Sequence, residues 1–360
     1  MADITILDLS RADDWQTLLD RLPVYLRDIY FTPQYHALYE INGDGKARLF
    51  TYQSGADIWF FPYLQRPVGH VGAVPVPFVC ADTETAYGYG GPLCTTSDPN
   101  FLRAAQEAYD GYCCENCIVT DFIRFHPLIG NHCLLESIGP TGVKALRNYV
   151  WVDLTQTTDD LWSHSYSGKN RNMVRKAQRQ GVRIRHAATS TEFGQFVEMY
   201  LATMARLSAD RYYFFSTAYF AALERLVAAR GVALLAHVDD EVVAASVLFR
   251  HEQYAHYHLS ASSERGRTLA ATNLLLHEGI LWAREMGATK MHLGGGMTAA
   301  ADDPLLRFKA GYSPLRTTFR IGRRIHDEQA YLWLVGEWDR QHSQVAPAYQ
   351  HILQRYRLQL

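Results

Sequence analysis

Two apolar stretches, each broken by a short polar turn, set the frame of the chain. Ala47–Tyr52 and Asp57–Leu64 predict one hairpin. Val232–Val238 and Glu241–Phe249, around Asp239-Asp240, predict a second. Each hairpin is followed by a further segment, a helix and a short strand. After the first come residues 67–86, rich in Pro, Val and Gly, then a helix over Asn100–Tyr112 and a strand over Cys117–Phe125. After the second come a strand over Gln253–Ser260, a turn at Arg265–Arg267, a helix over Ala270–Met286 and a strand over Thr289–Leu293. Ile4–Leu9 predicts a strand. Helices are predicted over Ala12–Leu22, from Thr32-Pro33 (an N-cap and a first turn), over the basic stretch Leu161–Gly181, and over Thr191–Leu207 and Thr217–Ala229. Asn148–Asp159 reads as a loop joining two halves, and Asp327–Leu360 as an amphipathic helical tail. The repeated order suggests two copies of one α/β unit. Mixed strands and helices around antiparallel hairpins place the fold in the α+β, mixed α/β class.

Composition narrows the function. A chain of 360 residues with 48% hydrophobic content can fill two cores. A net charge of −2 excludes a generally basic nucleic-acid binder, though not a local basic stripe. No DNA partner is expected. No apolar run is long enough for a membrane span, and the start lacks the features of a signal peptide, so the expected location is cytoplasmic. Cys80, Cys94, Cys113, Cys114, Cys117 and Cys133 all lie in the first half. Cys114-x-x-Cys117 has no second pair at metal-binding spacing, so reduced thiols and no metal are expected.

Chemistry concentrates in three places. Tyr87-Gly-Tyr-Gly-Gly-Pro92 is a glycine-aromatic turn near Arg124-Phe-His126. His292-Leu-Gly-Gly-Gly296 ends a strand and leads, through a polar loop, to Arg307-Phe308-Lys309-Ala-Gly-Tyr312. Glycines in a row permit close backbone approach. Lys309, in apolar company, is either a snorkelling or loop-paired lysine or a point charge aimed at a developing anion. The third place is a run of seven cations with no acid between Asp160 and Glu192: Lys169, Arg171, Arg175, Lys176, Arg179, Arg183 and Arg185. Arg171 and Arg175 share a helical face. That suits a phosphate-bearing ligand, such as a tRNA backbone, a nucleotide-sugar diphosphate or a CoA; a solvated basic face is the alternative.

Taken in order, Tyr87-Gly-Tyr-Gly-Gly-Pro92, Lys169-Asn-Arg-Asn-Met-Val-Arg175-Lys-Ala and Leu293-Gly-Gly-Gly…Leu306-Arg-Phe-Lys309-Ala-Gly-Tyr resemble the FemABX-like aminoacyltransferases and their CelD-like acyltransferase relatives. These are tandem copies of the GCN5-related N-acetyltransferase (GNAT) fold. The resemblance covers roughly Asp28 to Tyr312. It implies transfer of an acyl or aminoacyl group to an amine, on a cell-wall precursor, a sugar or a small metabolite. It further implies a first domain over residues 1–150 on the acceptor side, with the tail helix 328–360 folding back onto it. A second domain over residues 151–327 would bind the donor and carry the chemistry. No cofactor is permanently bound; an aminoacyl-tRNA or an acyl-CoA serves as co-substrate. A non-catalytic binding protein is the remaining alternative, and the oligomeric state is open.

The resemblance places Phe308 and Lys309 at the reaction centre. Met204-Ala-Arg206 and Asp210-Arg-Tyr212-Tyr213 resemble a segment near the acceptor cleft, so Arg206, Tyr212 and Tyr213 join Tyr89, Arg124 and His126 as candidate substrate contacts. His258, with His256 on the same strand face, is a candidate base; Asp210 and Glu278 are further acids. The GNAT pyrophosphate loop would fall at Arg265-Gly-Arg267-Thr268-Leu-Ala270. Here Thr268 stands where a glycine is wanted, which weakens the CoA reading. Thr272 and Asn273 in the following helix remain candidate phosphate donors, with Arg265 and Arg267 beside them.

Overall fold

The structure, a computed structural model, describes residues 2–139, 142–300 and 302–360. The chain divides into two compact units. Unit 1 holds Met1–Leu26, Tyr30–Leu146 and Phe319–Leu360; unit 2 holds Arg27–Ile29 and Arg147–Thr318.

In unit 1, β1 (Asp3–Leu7) and helices α1 (Ala12–Asp20) and α2 (Pro33–Asn42) precede the hairpin β2 (Lys46–Ser54) and β3 (Asp57–Pro67). Thr32 caps α2 by accepting from Tyr35 N, Pro33 opens the first turn, and Gly43 closes the helix at φ +92°. β3 runs antiparallel to β4 (Ala81–Glu84). Helix α3 (Pro99–Glu115) then carries the chain to β5 (Ile118–Arg124), which lies parallel to β4. Phe50, Trp59, Phe61 and Tyr63 of the hairpin pack with Phe101, Leu102 and Tyr109 of α3.

Unit 2 repeats this plan. Its elements are β6 (Lys144–Asp153), α4 (Gly168–Arg179), β7 (Arg183–His186), α5 (Ser190–Arg206), α6 (Thr217–Arg230), the hairpin β8 (Gly231–Val238) and β9 (Glu241–His251), β10 (Tyr254–Ser262), α7 (Ala271–Glu285), β11 (Lys290–Gly294) and α8 (Pro304–Ala310). The strand order β7-β8-β9-β10-β11 mirrors β1-β2-β3-β4-β5. In both, a helix crosses over between two parallel neighbours: α3 between β4 and β5, α7 between β10 and β11. β10 and β11 pair only over Tyr254–His256 and Lys290–His292. α7 and α4 cover one sheet face through Leu274, Leu275, Ile280, Val174 and Ala177.

The chain then returns to unit 1. β12 (Arg316–Ile325) pairs antiparallel with β5, and α9 (Glu328–Gln341) buries Leu334, Val335 and Trp338 against Val68, Val71 and Val119. The last residues are tied in by polar contacts to the fully buried Asp82. Tyr356 Oη donates to it at 2.9 Å and Arg357 Nε at 2.5 Å, while Arg66 Nε donates at 2.9 Å from the hairpin. Gln354 adds bonds to Thr83 O and Thr120 Oγ1.

The α+β, mixed α/β class and the internal repeat are as expected. Several local readings are not. Asn148–Asp159 is no simple loop, because Val150–Asp153 is strand, paired with β11. The basic helix starts only at Gly168, capped by Ser167; Leu161–Ser165 forms a separate π-type turn. Arg265–Arg267 lies inside a short helix, Glu264–Thr268. The tail is helical mainly over α9. No helix among the described residues is long and apolar enough to cross a membrane.

Candidate active site

β11 runs out into Gly294-Gly295-Gly296, and each glycine makes room for a different neighbour. Gly294 sits at φ +83°, with Lys309 Nζ 3.0 Å from where a Cβ would stand. A Cβ on Gly295 would meet the Tyr149 ring at 2.2 Å; one on Gly296 would meet the Asp303 carboxylate at 2.3 Å. Asp303 joins this turn to α8. Its Oδ1 accepts from Leu305 N and Leu306 N at 2.9 and 3.0 Å, and its Oδ2 accepts from Thr298 N and Thr298 Oγ1 at 2.9 and 3.1 Å. Those donors hold its carboxyl down at about 2.

Lys309 lies on the buried side of α8, 8% exposed. Its Nζ donates to Gly295 O at 2.7 Å, so its hydrogen bond goes to a carbonyl and not to Asp302 or Asp303. Burial lowers the ammonium to about 8, against the opposing pull of Asp303. At neutral pH it is still charged. Arg147 Nη1 steadies the same turn through Gly296 O and Met297 O, both at 3.1 Å. A desolvated ammonium held by one carbonyl is the kind of donor that stabilises an oxygen gaining charge during acyl transfer.

Phe308 faces another way. It packs edge-on against Tyr312 and lines a 610 Å³ cavity with Lys169, Asn170, Met173, Asn273 and Arg307. The cavity brings together the first turns of α4 and α7 and the outer side of α8. Asn273 Nδ2 donates to Asn170 Oδ1 at 2.9 Å, and Tyr312 Oη donates to Asn273 O at 2.8 Å. Thr272 is half-buried beside Asn273.

The remaining candidates are dispersed. Arg171 Nη1 turns back to the carbonyls of Trp162, Ser163 and Tyr166, fastening the π-type turn to α4. Arg175 stacks over Trp162, 5.2 Å from the ring centroid. Arg265 pairs with Glu241 and Asp239, and Arg267 is exposed. Arg206 donates to Ser262 O at 3.2 Å and lines a separate 470 Å³ cavity with Thr203 and Gln195. Tyr212 and Tyr213 stack edge-on in the turn after α5. In unit 1, Tyr89 packs edge-on against Tyr30, His126 and Phe319. Arg124 is held by Thr85 O and Glu84, and the fully buried His126 takes Leu128 N and Ile129 N on Nδ1. His258 lies against Phe249, and burial drives it down to about 3, so it is a neutral and weakly basic imidazole.

Sequence reading missed the carboxylate partner on that strand. His256 Nε2 lies 2.7 and 3.0 Å from the two oxygens of Asp28, and both residues are buried. The two are 228 positions apart, so no local motif announces the pair. Removing one member of such a pair strands the other. Asp28→Ala is expected to destabilise unit 2 by about 3 kcal/mol, read by urea denaturation; a loss within error of zero would show that the pair is not a structural tie.

Residues 165–309 match the acetyltransferase (GNAT) domain family. This span takes in α4, the sheet, α7, the glycine turn and Lys309. Among solved structures, FemX superposes with a TM-score of 0.66 at 14% identity, covering 98% of this chain and 100% of FemX. The C-terminal domain of a putative lysylphosphatidylglycerol synthetase from Agrobacterium fabrum gives 0.57 at 13% identity, over 92% and 96% of the two chains. A tandem GNAT protein from the clavulanic acid biosynthesis pathway gives 0.50 at 10% identity, over 91% and 99%. No curated protein matches in sequence. Residues 165–309 carry a GNAT acetyltransferase domain. The fold of the chain as a whole is the one seen in FemX.

Proposed function

We propose that this acyltransferase moves an aminoacyl group from aminoacyl-tRNA directly onto an amine of a cell-wall precursor, a sugar or a small metabolite. The observation that carries the choice of donor lies between β10 and α7. The segment where a GNAT cradle for a pyrophosphate would be sought is wound into the helix Glu264–Thr268, and its amides are taken. Gly266 N donates to Ser263 Oγ, Arg267 N to Ser263 O, Leu269 N to Arg265 O and Ala270 N to Arg267 O. Gly266 is pressed against β9, with Val243 O 2.0 Å from a Cβ position. A loop in that state offers no row of bare amides to a diphosphate. The likeness to FemX supports the same reading.

In the proposed reaction a neutral amine attacks the ester carbonyl, and Lys309 donates to the oxygen as it gains charge. The carbon–oxygen bond to the carrier then breaks, and the amine proton passes to the departing alkoxide. The acceptor is proposed to be recognised by unit 1.

A second reading, transfer from an acyl-CoA, draws on the N-terminus of α7. Ala270 stands there at φ +57° with no side-chain cap, which leaves the first amides of a 15-residue helix open to a phosphate. Thermal-shift titration separates the two. Saturable stabilisation by charged tRNA, and none by acetyl-CoA or longer acyl-CoAs, is the expected result. Stabilisation by CoA esters alone would replace the first reading with the second.

A further inference from the structure

We propose that Cys113, Asp121 and His326, all in unit 1, form a binding site for a zinc-type divalent cation. The inference stands apart from the acyl-transfer reading. The three residues come from three places: Cys113 from α3, Asp121 from β5, and His326 from the bend between β12 and α9. The thiol sulfur, a carboxylate oxygen and an imidazole nitrogen all lie within 4.8 Å of one another. Cys113 and Asp121 are buried, and the His326 side chain is 2% exposed. Cysteine spacing alone predicts no metal here. Cys114 and Cys117 are exposed, and the fold instead supplies mixed ligands, with Asp121 and His326 205 positions apart.

Outer partners orient these groups as they orient metal ligands. Asp121 Oδ1 accepts from Thr83 Oγ1 at 2.5 Å and from Tyr109 Oη at 3.1 Å, while Oδ2 lies 2.7 Å from His326 Nε2. The other imidazole nitrogen, Nδ1, lies 3.6 Å from Asp110 Oδ1, and Arg324 holds Asp110 in turn. A carboxylate on the outer nitrogen favours the tautomer that frees Nε2 for a metal. His326 N donates to Val119 O at 2.8 Å, which fixes the residue beside β5. One sulfur, one nitrogen and one oxygen suit zinc. Cys113 and His326 also line a 650 Å³ cavity, which gives room for a water as fourth ligand. Tetrahedral coordination would open the His326–Asp121 contact from 2.7 Å by about 0.6 Å. The charges balance. The ion enters as two protons leave, one from the Cys113 thiol and one from between His326 and Asp121, so the buried site gains no net charge. A bound ion would fasten the junction of β12 and α9 to α3 and β5.

Calorimetric titration of the chelator-stripped full chain with zinc tests the site. One ion per chain should bind and raise the melting temperature. Cobalt in place of zinc should give a thiolate-to-cobalt charge-transfer band. Cys113→Ser should abolish that band, and both Cys113→Ser and His326→Gln should weaken zinc binding by at least about a hundredfold. Asp110→Asn should weaken it by about tenfold. Asp110 is partly exposed and outside the ligand set, so this variant keeps the test open if a ligand variant fails to fold. Replacing Cys114 and Cys117 together by serine should leave binding as in the wild type. No saturable binding, a cobalt band that persists in Cys113→Ser, unchanged affinity in Asp110→Asn, or binding lost only with Cys114 and Cys117 would overturn the proposal. Every readout is independent of turnover, so the outcome is separate from that of the acyl-transfer reading.

Discussion

Lys309→Met should give a protein that is more stable than the wild type and transfers acyl groups roughly 10²–10³-fold more slowly, the usual cost of removing one donor to an oxyanion. Both effects have one cause. The ammonium is buried, and its only hydrogen bond among the described residues is to Gly295 O. Burial moves it from 10.5 to about 8, which corresponds to about 3 kcal/mol of unfavourable charge burial. The sign follows from proton counts. Below pH 8 the lysine is charged in both folded and unfolded chains, and the folded state carries the whole penalty. Between pH 8 and 10.5 the unfolded chain holds a proton that the folded chain has released, so stability rises with pH. Above that window the penalty is gone. Urea denaturation at pH 7 and at pH 10 should therefore show a gain for the wild type that the variant lacks. Transfer by the wild type should fall as pH rises through about 8. A variant with wild-type turnover would remove Lys309 from the chemistry.

Asp303→Ala carries the second large effect. Four hydrogen bonds converge on that carboxylate, two from α8 and two from Thr298. Losing a helix cap of this kind costs about 2 kcal/mol. The loss should also reach the reaction, because Asp303 fixes the distance between the glycine turn and the helix that carries Lys309. A lower melting temperature with a reduced kcat is expected. Asp303→Asn, which keeps an acceptor oxygen for the two α8 amides, should recover much of both. Full activity in the alanine variant would mean that the turn and α8 hold their geometry without the cap.

The parts of this structure that were readable in advance are those with local causes. The two hairpins, the crossover helices and the Thr32-Pro33 cap follow from residues close in sequence. Phe308 and Lys309 stand out through the family resemblance alone; the structure buries Lys309 and sets Phe308 on a cavity wall. The misses have distant causes. Asn148–Asp159 reads as a loop because the partner of Val150–Asp153, β11, lies well over a hundred residues away. β12, Arg-Thr-Thr-Phe-Arg-Ile-Gly-Arg-Arg-Ile, carries too many charges to announce a strand, and forms one against β5. Arg171 looked like a phosphate ligand because nothing in a sequence shows that three backbone carbonyls will surround it.

The closing of Asp82 by Arg357 and Tyr356 has a consequence for how the chain is made. Most of unit 1 precedes unit 2 in the chain, yet β12, α9 and the Tyr356 and Arg357 contacts to Asp82 come after it. Until they arrive, Asp82 has Arg66 but neither Tyr356 nor Arg357, and the apolar surface later covered by Trp338 is left open. Unit 2, nearly continuous in sequence, can finish first. During synthesis the order of completion is thus the reverse of the order of translation, and the interval is when the nascent chain is most exposed to aggregation or to a chaperone.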